Sequence, residues 1–271
     1  MARPVPEPRP AATVIIVRDN EDGQAVEVLM TERHGDLSFA AGALVFPGGL
    51  VEEGDRSADL QACCQILGQT DPEQIAHRLA AIRETFEETG LLFAFDAQGW
   101  SIGDRRRAAY AASYQEPLRA GKISFAEFAA KEGLQFAPDD FLHFAHWITP
   151  EISPKRFDTH FYLCTAPEGQ NAACDGKETV AVVWATPRHQ LDEARQGRRG
   201  LMFPTRLNLE VLSPCRSVQQ ALRLARARPI VPVMPEVFER DGETWARIPQ
   251  EAGYGISEAR RLDPGPELAF E

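Results

Sequence analysis

The chain is predicted to fold as an α/β (or α+β) domain around one core, on three observations. Short apolar runs rich in β-branched residues recur along its length, helical patterns are interleaved with them, and one helix near residue 80 carries unusually clear start and stop signals. A composition of 44% hydrophobic and 25% charged residues over 271 positions excludes wholesale disorder and fibrous repeats.

The elements follow in order. Residues 1–11 are Pro-rich and are expected to be a flexible N-terminus. Residues 12–17 and 26–30 are short strands around Asn20-Glu21-Asp22-Gly23, a turn signal that predicts a hairpin. Residues 43–46 form another apolar run, stopped by Pro47-Gly48-Gly49, and residues 50–70 read as irregular. The clear helix spans residues 72–89: Asp71 caps it, Pro72 suits its first position, Gln74 completes a capping box and Gly90 stops it. Residues 97–140 are Ala-rich and helical, unlike the strands on either side, and are read as a helical insertion. Strands return at 143–149, 156–164 and 180–185; in the second, Phe157, Thr159, Phe161 and Leu163 alternate with Asp158, His160 and Tyr162. Helices are expected at 187–196, 204–212 and 218–227. Residues 228–271 form a C-terminal extension with a hairpin at Asp241-Gly242 and a loose tail, which leaves residues 12–227 as the main domain.

Charge narrows the partners. Forty acidic residues against 29 basic ones give a net charge of -11. The densest basic runs, Arg105-Arg106-Arg107 and Arg198-Arg199, are too short to gather a phosphate-binding patch, so nucleic acid is excluded as the expected partner. No window approaches the roughly 18 apolar residues of a membrane span, and residues 1–10 have no signal-peptide pattern. The five cysteines (Cys63, Cys64, Cys164, Cys174, Cys215) are odd in number and lack a CxxC pair. A reduced, cytoplasmic protein without a disulfide framework is the expectation.

The helix at 72–89 carries the chemistry. Ile75, Leu79, Ile82 and Phe86 make one apolar stripe. At about 100° per residue, Glu84, Glu87 and Glu88 cluster almost opposite it. Neighbouring carboxylates repel by a few tenths of a kcal/mol per pair, offset in part by an i, i+4 pair of Arg83 with Glu87. Such a face is either a solvated acidic surface or a set of hard oxygen ligands suited to Mg2+ or Mn2+.

Context separates the two. Phe46-Pro47-Gly48-Gly49 places a glycine pair after a strand, where backbone can approach a ligand. Gly49, five residues and Asp55, followed by Arg83-Glu84-Thr85-Phe86-Glu87-Glu88-Thr89-Gly90-Leu91, resembles the Nudix box. Thr85 stands where the pattern has an apolar residue, and Asp55 where it has a glutamate. The box is also split: 27 residues separate Asp55 from Arg83, where the family pattern has seven, which is read as an insertion at 56–75. Insertions within the box are a trait of one branch of coenzyme A diphosphatases. Leu29-Met30-Thr31-Glu32-Arg33 with the glycine Gly42, Trp147-Ile148-Thr149-Pro150, Arg156-Phe157-Asp158-Thr159 and Pro204-Thr205-Arg206 are similar to segments of that branch.

The resemblance implies a Nudix fold, a mixed β-sheet sandwiched between helices, and metal-dependent hydrolysis of a small-molecule nucleoside diphosphate derivative. Coenzyme A or acyl-coenzyme A would give 3',5'-ADP and (acyl-)phosphopantetheine. The alternatives are a Nudix hydrolase of ADP-ribose, NADH or a damaged nucleotide, and a non-catalytic nucleotide-sensing module. Glu87 and Glu88 are then the principal ligands of Mg2+ or Mn2+, Glu84 shares a metal or takes the proton from water, the Gly48 carbonyl completes the site and Arg83 orients the glutamates. Arg33, Gly49 and Arg156 are expected at the substrate, Arg156 with Lys155 at a 3'-phosphate. Asp55 and Glu178 are candidates for an extra carboxylate. A homodimer through the insertion and the C-terminal segment is an open expectation.

Other polar residues have simpler explanations. His143 and His146, three apart in a strand, should face opposite ways, which argues against joint metal binding. Asp158 and His160 fit solvent-facing alternation, and Trp147 and Trp184 fit a core.

Overall fold

A computed structural model describes residues 5–33, 43–66, 68, 71–174 and 179–261. Strands β1 (Arg9–Asp19) and β2 (Val26–Arg33) form the expected hairpin, with Val17 opposite Val28. The Asn20 side chain closes its turn, accepting from the Gln24 and Ala25 amides at 2.9 and 3.0 Å. Strands β3 (Ala43–Val45) and β4 (Gly48–Leu50) follow, β4 lying against β1 so that Gly48 is opposite Thr13. A 3-10 turn (Glu53–Arg56) and the short helix α1 (Ala58–Gln61) occupy the stretch read as irregular. Helices α2 (Pro72–Thr89), α3 (Asp104–Arg119) and α4 (Phe125–Glu132) come next. Strands β5 (Leu142–Ile148), β6 (Phe157–Thr165) and β7 (Thr179–Ala185) lead into α5 (Pro187–Arg195), β8 (Gly200–Leu201), α6 (Phe203–Leu212) and α7 (Val218–Ala227). The chain closes with β9 (Pro232–Val233), β10 (Glu236–Arg240), β11 (Glu243–Arg247) and β12 (Glu258–Arg260).

The main sheet runs β8-β3-β2-β1-β6-β5-β9, with β4 on β1 and β7 on β2; β1 and β6 are parallel and their other main neighbours antiparallel, so the sheet is mixed. Alternation along β1 feeds two cores. Ile15 and Val17 join Met30, Phe161 and Leu163 beneath α6 and α7. Val14 and Ile16 join Leu29 and Tyr162 beneath α2, α3 and α4. Helices therefore cover both faces, as the predicted class requires.

Local signals account for α2. Asp71 accepts from the Glu73 amide at 3.0 Å, Pro72 opens the helix, and Gly90 ends it at φ 69° while donating to Phe86 O at 2.9 Å. Gln74 departs from expectation. Rather than closing a capping box, its Oε1 accepts from the Tyr162 hydroxyl at 3.2 Å. The larger departure is burial: 13 of the 18 residues of α2 are buried, the glutamate side included. On the glutamate side β4 and the 3-10 turn cover the helix, through Gly48 on Glu88 and Asp55 on Arg83. On the apolar side Phe128 of α4 stacks on Phe86 at 5.4 Å, and Gln115 of α3 donates to Phe86 O and Glu87 O at 2.8 and 3.2 Å.

Three further expectations are corrected by long-range pairing. Residues 9–11, expected in a flexible terminus, begin β1, because β6 offers Arg9 a parallel partner in Phe157. The segment after the hairpin, expected as a loose tail, packs on the main core through Ile248 and Ala252, and Tyr254 OH accepts from Trp147 Nε1 and donates to Asn208 Oδ1, both at 2.9 Å. The hairpin at Asp241-Gly242 is present as β10–β11. Finally, β5 carries a bulge between His143 and Ala145, so that His143 lies opposite Tyr162 and His146 opposite His160. One extra residue shifts the alternation by one, and both histidines reach the same face.

Candidate active site

A cleft of about 480 Å³ opens where β4 and the last turns of α2 meet the ends of β5 and β6. One wall is acidic and tight: Gly48, Gly49, Glu52, Glu84 and Glu88. The facing wall is apolar, built from Trp147, Phe157, Phe161, Phe203 and Pro204, with Pro235 and the exposed Lys155 at its margin. Glu87 stands behind the acidic wall. At 8% and 7% exposure, Glu87 and Glu88 do not form a solvated face.

Arg83 organises this wall. Its Nε and Nη2 donate to the two Asp55 oxygens at 2.9 and 3.0 Å, Nη2 also reaches Leu50 O at 2.9 Å, and Nη1 reaches Glu84 and Glu87 at 2.9 and 3.4 Å. Such a two-pronged pairing fixes the guanidinium plane as a single contact cannot. Asp55 is 1% exposed and also accepts from the Glu52 amide at 2.8 Å. This corrects its candidacy as an extra carboxylate for metal or water: both of its oxygens are engaged, and it positions Arg83 instead. The ends of the segment between Asp55 and Arg83 are held near each other by Arg56 on Glu73 at 3.0 Å.

The electrostatics follow from burial. Desolvation, reinforced by Glu84 and only partly opposed by Arg83, pushes the Glu87 carboxyl up to about 7, and desolvation likewise raises Glu84. Arg83 already serves Asp55, so the glutamates hold more negative charge than the site's own cation balances. Three hard-oxygen side chains, Glu87 and Glu88 buried and Glu84 half-buried, fit a divalent cation of the Mg2+ or Mn2+ kind. Because Glu87 has a folded pKa above its unfolded value, its contribution is most favourable below about 4.5 and is lost as pH rises toward about 7. His143 and His160 are shifted the opposite way, so the clean measurement is a difference. In EDTA, wild-type stability is expected to fall relative to Glu87→Gln between pH 5 and 8, by up to about 3 kcal/mol. Saturating Mn2+ should abolish the trend, and urea unfolding at each pH checks it.

The glycine pair makes room. A Cβ at Gly49 would sit 2.4 Å from the Glu84 carboxyl, and one at Gly48 2.3 Å from Ala12 O; the Gly48 amide donates to Glu88 Oε2 at 3.4 Å. Gly49→Ala is therefore expected to push the Glu84 carboxyl aside. Activity should fall about a hundredfold, as misplacement by an ångström can cost that much, while stability changes by less than about 1 kcal/mol. Steady-state kinetics beside thermal unfolding separates the two effects.

The remaining expected site residues divide. Arg156 is corrected: it is 7% exposed, and its donors go to Thr149 O, Pro6 O and Met234 Sδ at 3.0, 2.9 and 3.3 Å, so it ties the N-terminal segment to the strand connection and does not line the cleft. Lys155, its neighbour, does line it. Arg33 closes β2, but its side chain and the whole of Glu178 lie outside the described residues. Trp147 is 3% exposed, as a core residue should be, yet one side of it faces the cleft; Trp184 is half-buried under the Arg18 guanidinium at 4.2 Å. Two contributors were missed. Gln115 holds the C-terminal carbonyls of α2 from a distant helix, and Phe203 reaches the apolar wall from α6. Only Pro204-Thr205 gave a local signal for the latter.

Residues 60–207, more than half of the chain, match the family model described as the NUDT19 Nudix domain. Acyl-coenzyme A diphosphatase NUDT19 of Xenopus laevis is 25% identical over 209 residues, covering 62% of this chain and 54% of its own length. The protein of the same name from Homo sapiens is 28% identical over 206 residues, covering 60% and 54%. The chain spans about half the length of these relatives. A crystal structure of a Nudix hydrolase from Alicyclobacillus acidocaldarius is 26% identical with a TM-score of 0.67, covering 80% of this chain and 96% of that one.

Proposed function

This chain belongs to the NUDT19 Nudix domain family of Nudix hydrolases, and on that premise we propose that it hydrolyses the diphosphate linkage of coenzyme A or an acyl-coenzyme A. The products would be 3',5'-ADP and 4'-phosphopantetheine or its acyl form. The observation that carries the reading is the cleft's division into an acidic, glycine-lined wall and an aromatic wall. The first suits a cation-bridged diphosphate; the second suits a long, largely apolar arm such as acyl-pantetheine. The name of the vertebrate relatives points the same way.

Glu84, Glu87, Glu88 and the Gly48 carbonyl would hold Mg2+ or Mn2+. When bound, the cation neutralises the diphosphate oxygens and acidifies the attacking water. Arg83, fixed by Asp55, keeps Glu84 and Glu87 in place. Glu84 is the assigned acceptor of the water proton, because it lines the cleft where Glu87 stands behind the wall and burial raises its carboxyl. The aromatic wall excludes water from the reacting side, and Lys155 at the margin is assigned to a substrate phosphate.

The test is a panel of coenzyme A, acyl-coenzyme A, ADP-ribose, NADH and nucleoside triphosphates with Mg2+ or Mn2+, products identified by mass. Cleavage of coenzyme A or its acyl form into the two halves named above is expected. Turnover of ADP-ribose or NADH with coenzyme A untouched would overturn the substrate, and binding without cleavage would overturn the reaction.

A further inference from the structure

Four of the chain's six histidines meet on the face of the sheet opposite the cleft. Thr159 and Phe161 line the cleft, so the alternate residues of β6, Asp158 and His160, point the other way. The bulge in β5 brings His143 and His146 to that same side. His77 of α2 closes over them, its ring 4.6 Å from that of His160. The His146 and His160 rings stack at 4.1 Å, and His143 lies 4.8 Å from His160.

Proton accounting across this cluster leaves lone pairs without protons. His146 Nε2 lies 2.5 Å from Asp158 Oδ1. His160 Nδ1 and His143 Nε2 share one proton at 3.0 Å. His143 also hydrogen-bonds the Ala145 backbone; with Nε2 engaged, that bond falls to Nδ1–H. His143 Nε2 is then an acceptor, His160 Nδ1 carries the shared proton, and His160 Nε2 keeps a lone pair. His77 Nδ1 gives its proton to Glu73 O at 2.7 Å, which leaves its Nε2 as another acceptor. Imidazole lone pairs gathered beside one carboxylate are poor at satisfying one another and good at binding a metal.

We propose that His146, Asp158 and His160 form a binding site for a divalent transition-metal ion of the zinc class, with His143 bracing His160 from behind. One nitrogen or oxygen from each of the three lies within 4.8 Å of the others. Tetrahedral ligands at zinc distances are about 3.3 Å apart, so small side-chain rotations complete the set. Three protein ligands leave a fourth position for water or for His77. The carbonyl–His143–His160 relay is the kind of support that fixes the tautomer and orientation of a metal-binding histidine. Mixed nitrogen and oxygen donors separate this site from the all-oxygen glutamate wall, which favours Mg2+ or Mn2+. Arg78, on the same helix as His77, lies over Tyr162 at 5.7 Å and is drawn toward Asp139 at 3.6 Å. A bound ion would cross-link β5 to β6, and it depends in no way on the proposed diphosphatase activity.

Co2+ titration of the metal-stripped full chain in excess Mg2+ tests it, read by visible d–d absorption and by thermal midpoint. Wild type and Glu87→Gln are expected to bind one Co2+ with the intense bands of a four- or five-coordinate nitrogen-containing site, and to gain thermal stability with Zn2+. Asp158→Asn and His146→Gln, both at partly exposed positions, should lose at least tenfold in affinity while keeping the wild-type far-ultraviolet spectrum. His143→Phe should weaken binding about 10- to 100-fold, as loss of a bracing partner does. Absence of the bands in wild type would overturn the proposal. So would equal affinity in Asp158→Asn and His146→Gln, or loss of the bands in Glu87→Gln alone.

Discussion

Replacing Glu87 by glutamine is expected to lower turnover by at least about a hundredfold while leaving the protein folded and, without metal near pH 8, more stable by up to about 3 kcal/mol. Loss of a partner that merely orients a metal ligand costs 10- to 100-fold, and Glu87 is assigned a direct place in the site. The folding side follows from burial: the carboxyl is 8% exposed, desolvated and close to Glu84, so the neutral amide removes repulsion while keeping shape. Parallel measurement of kcat with saturating Mn2+ and of unfolding free energy in EDTA separates the two. Wild-type turnover in the variant would defeat the assignment, and a stability loss above about 2 kcal/mol would mean that the carboxylate is held by more than Arg83.

The second large effect is on the fold itself. Asp55→Ala is expected to cost about 3–5 kcal/mol, the range for removing one partner of a buried ion pair. Arg83 would lose both of its contacts to the Asp55 carboxylate and remain buried at 6% exposure. The change should also lower turnover, because an untethered Arg83 no longer holds Glu84 and Glu87 in one arrangement. Asp55→Asn, which keeps the shape and one acceptor oxygen, should fall between the two in urea unfolding. A cost under about 1 kcal/mol for Asp55→Ala would show that Glu84 and Glu87 take over the guanidinium.

How much of this was legible depends on the range over which each feature is determined. The caps of α2 could be read because Asp71, Pro72 and Gly90 act on backbone groups within a few residues of themselves. The grouping of Glu84, Glu87 and Glu88 could be read because helix geometry alone brings i, i+3 and i+4 together. The hairpins at Asn20 and Asp241 were equally local. Arg156 was misread for the opposite reason. Its basic neighbourhood suggested a phosphate, but its partners Pro6 and Met234 are far away in the chain. The histidines were misread by one residue: strict alternation separates His143 from His146, and only the pairing of β5 with β6 reveals the bulge that reunites them.

Taken alone, the sequence determined the alternation of strands and helices, the capped helix and its glutamate face, and the split glycine-to-glutamate pattern. These rest on periodicity and on side chains acting over one or two turns. Tertiary structure decided that Asp55 clamps Arg83 across 27 intervening residues, that β4 closes over the glutamate face, that the C-terminal segment joins the core through Tyr254, and that four histidines converge. Each of those contacts joins residues whose separation the chain must close by folding back. Which distant partners then meet is decided by the sheet order and by what packs on either face, and no local pattern records it.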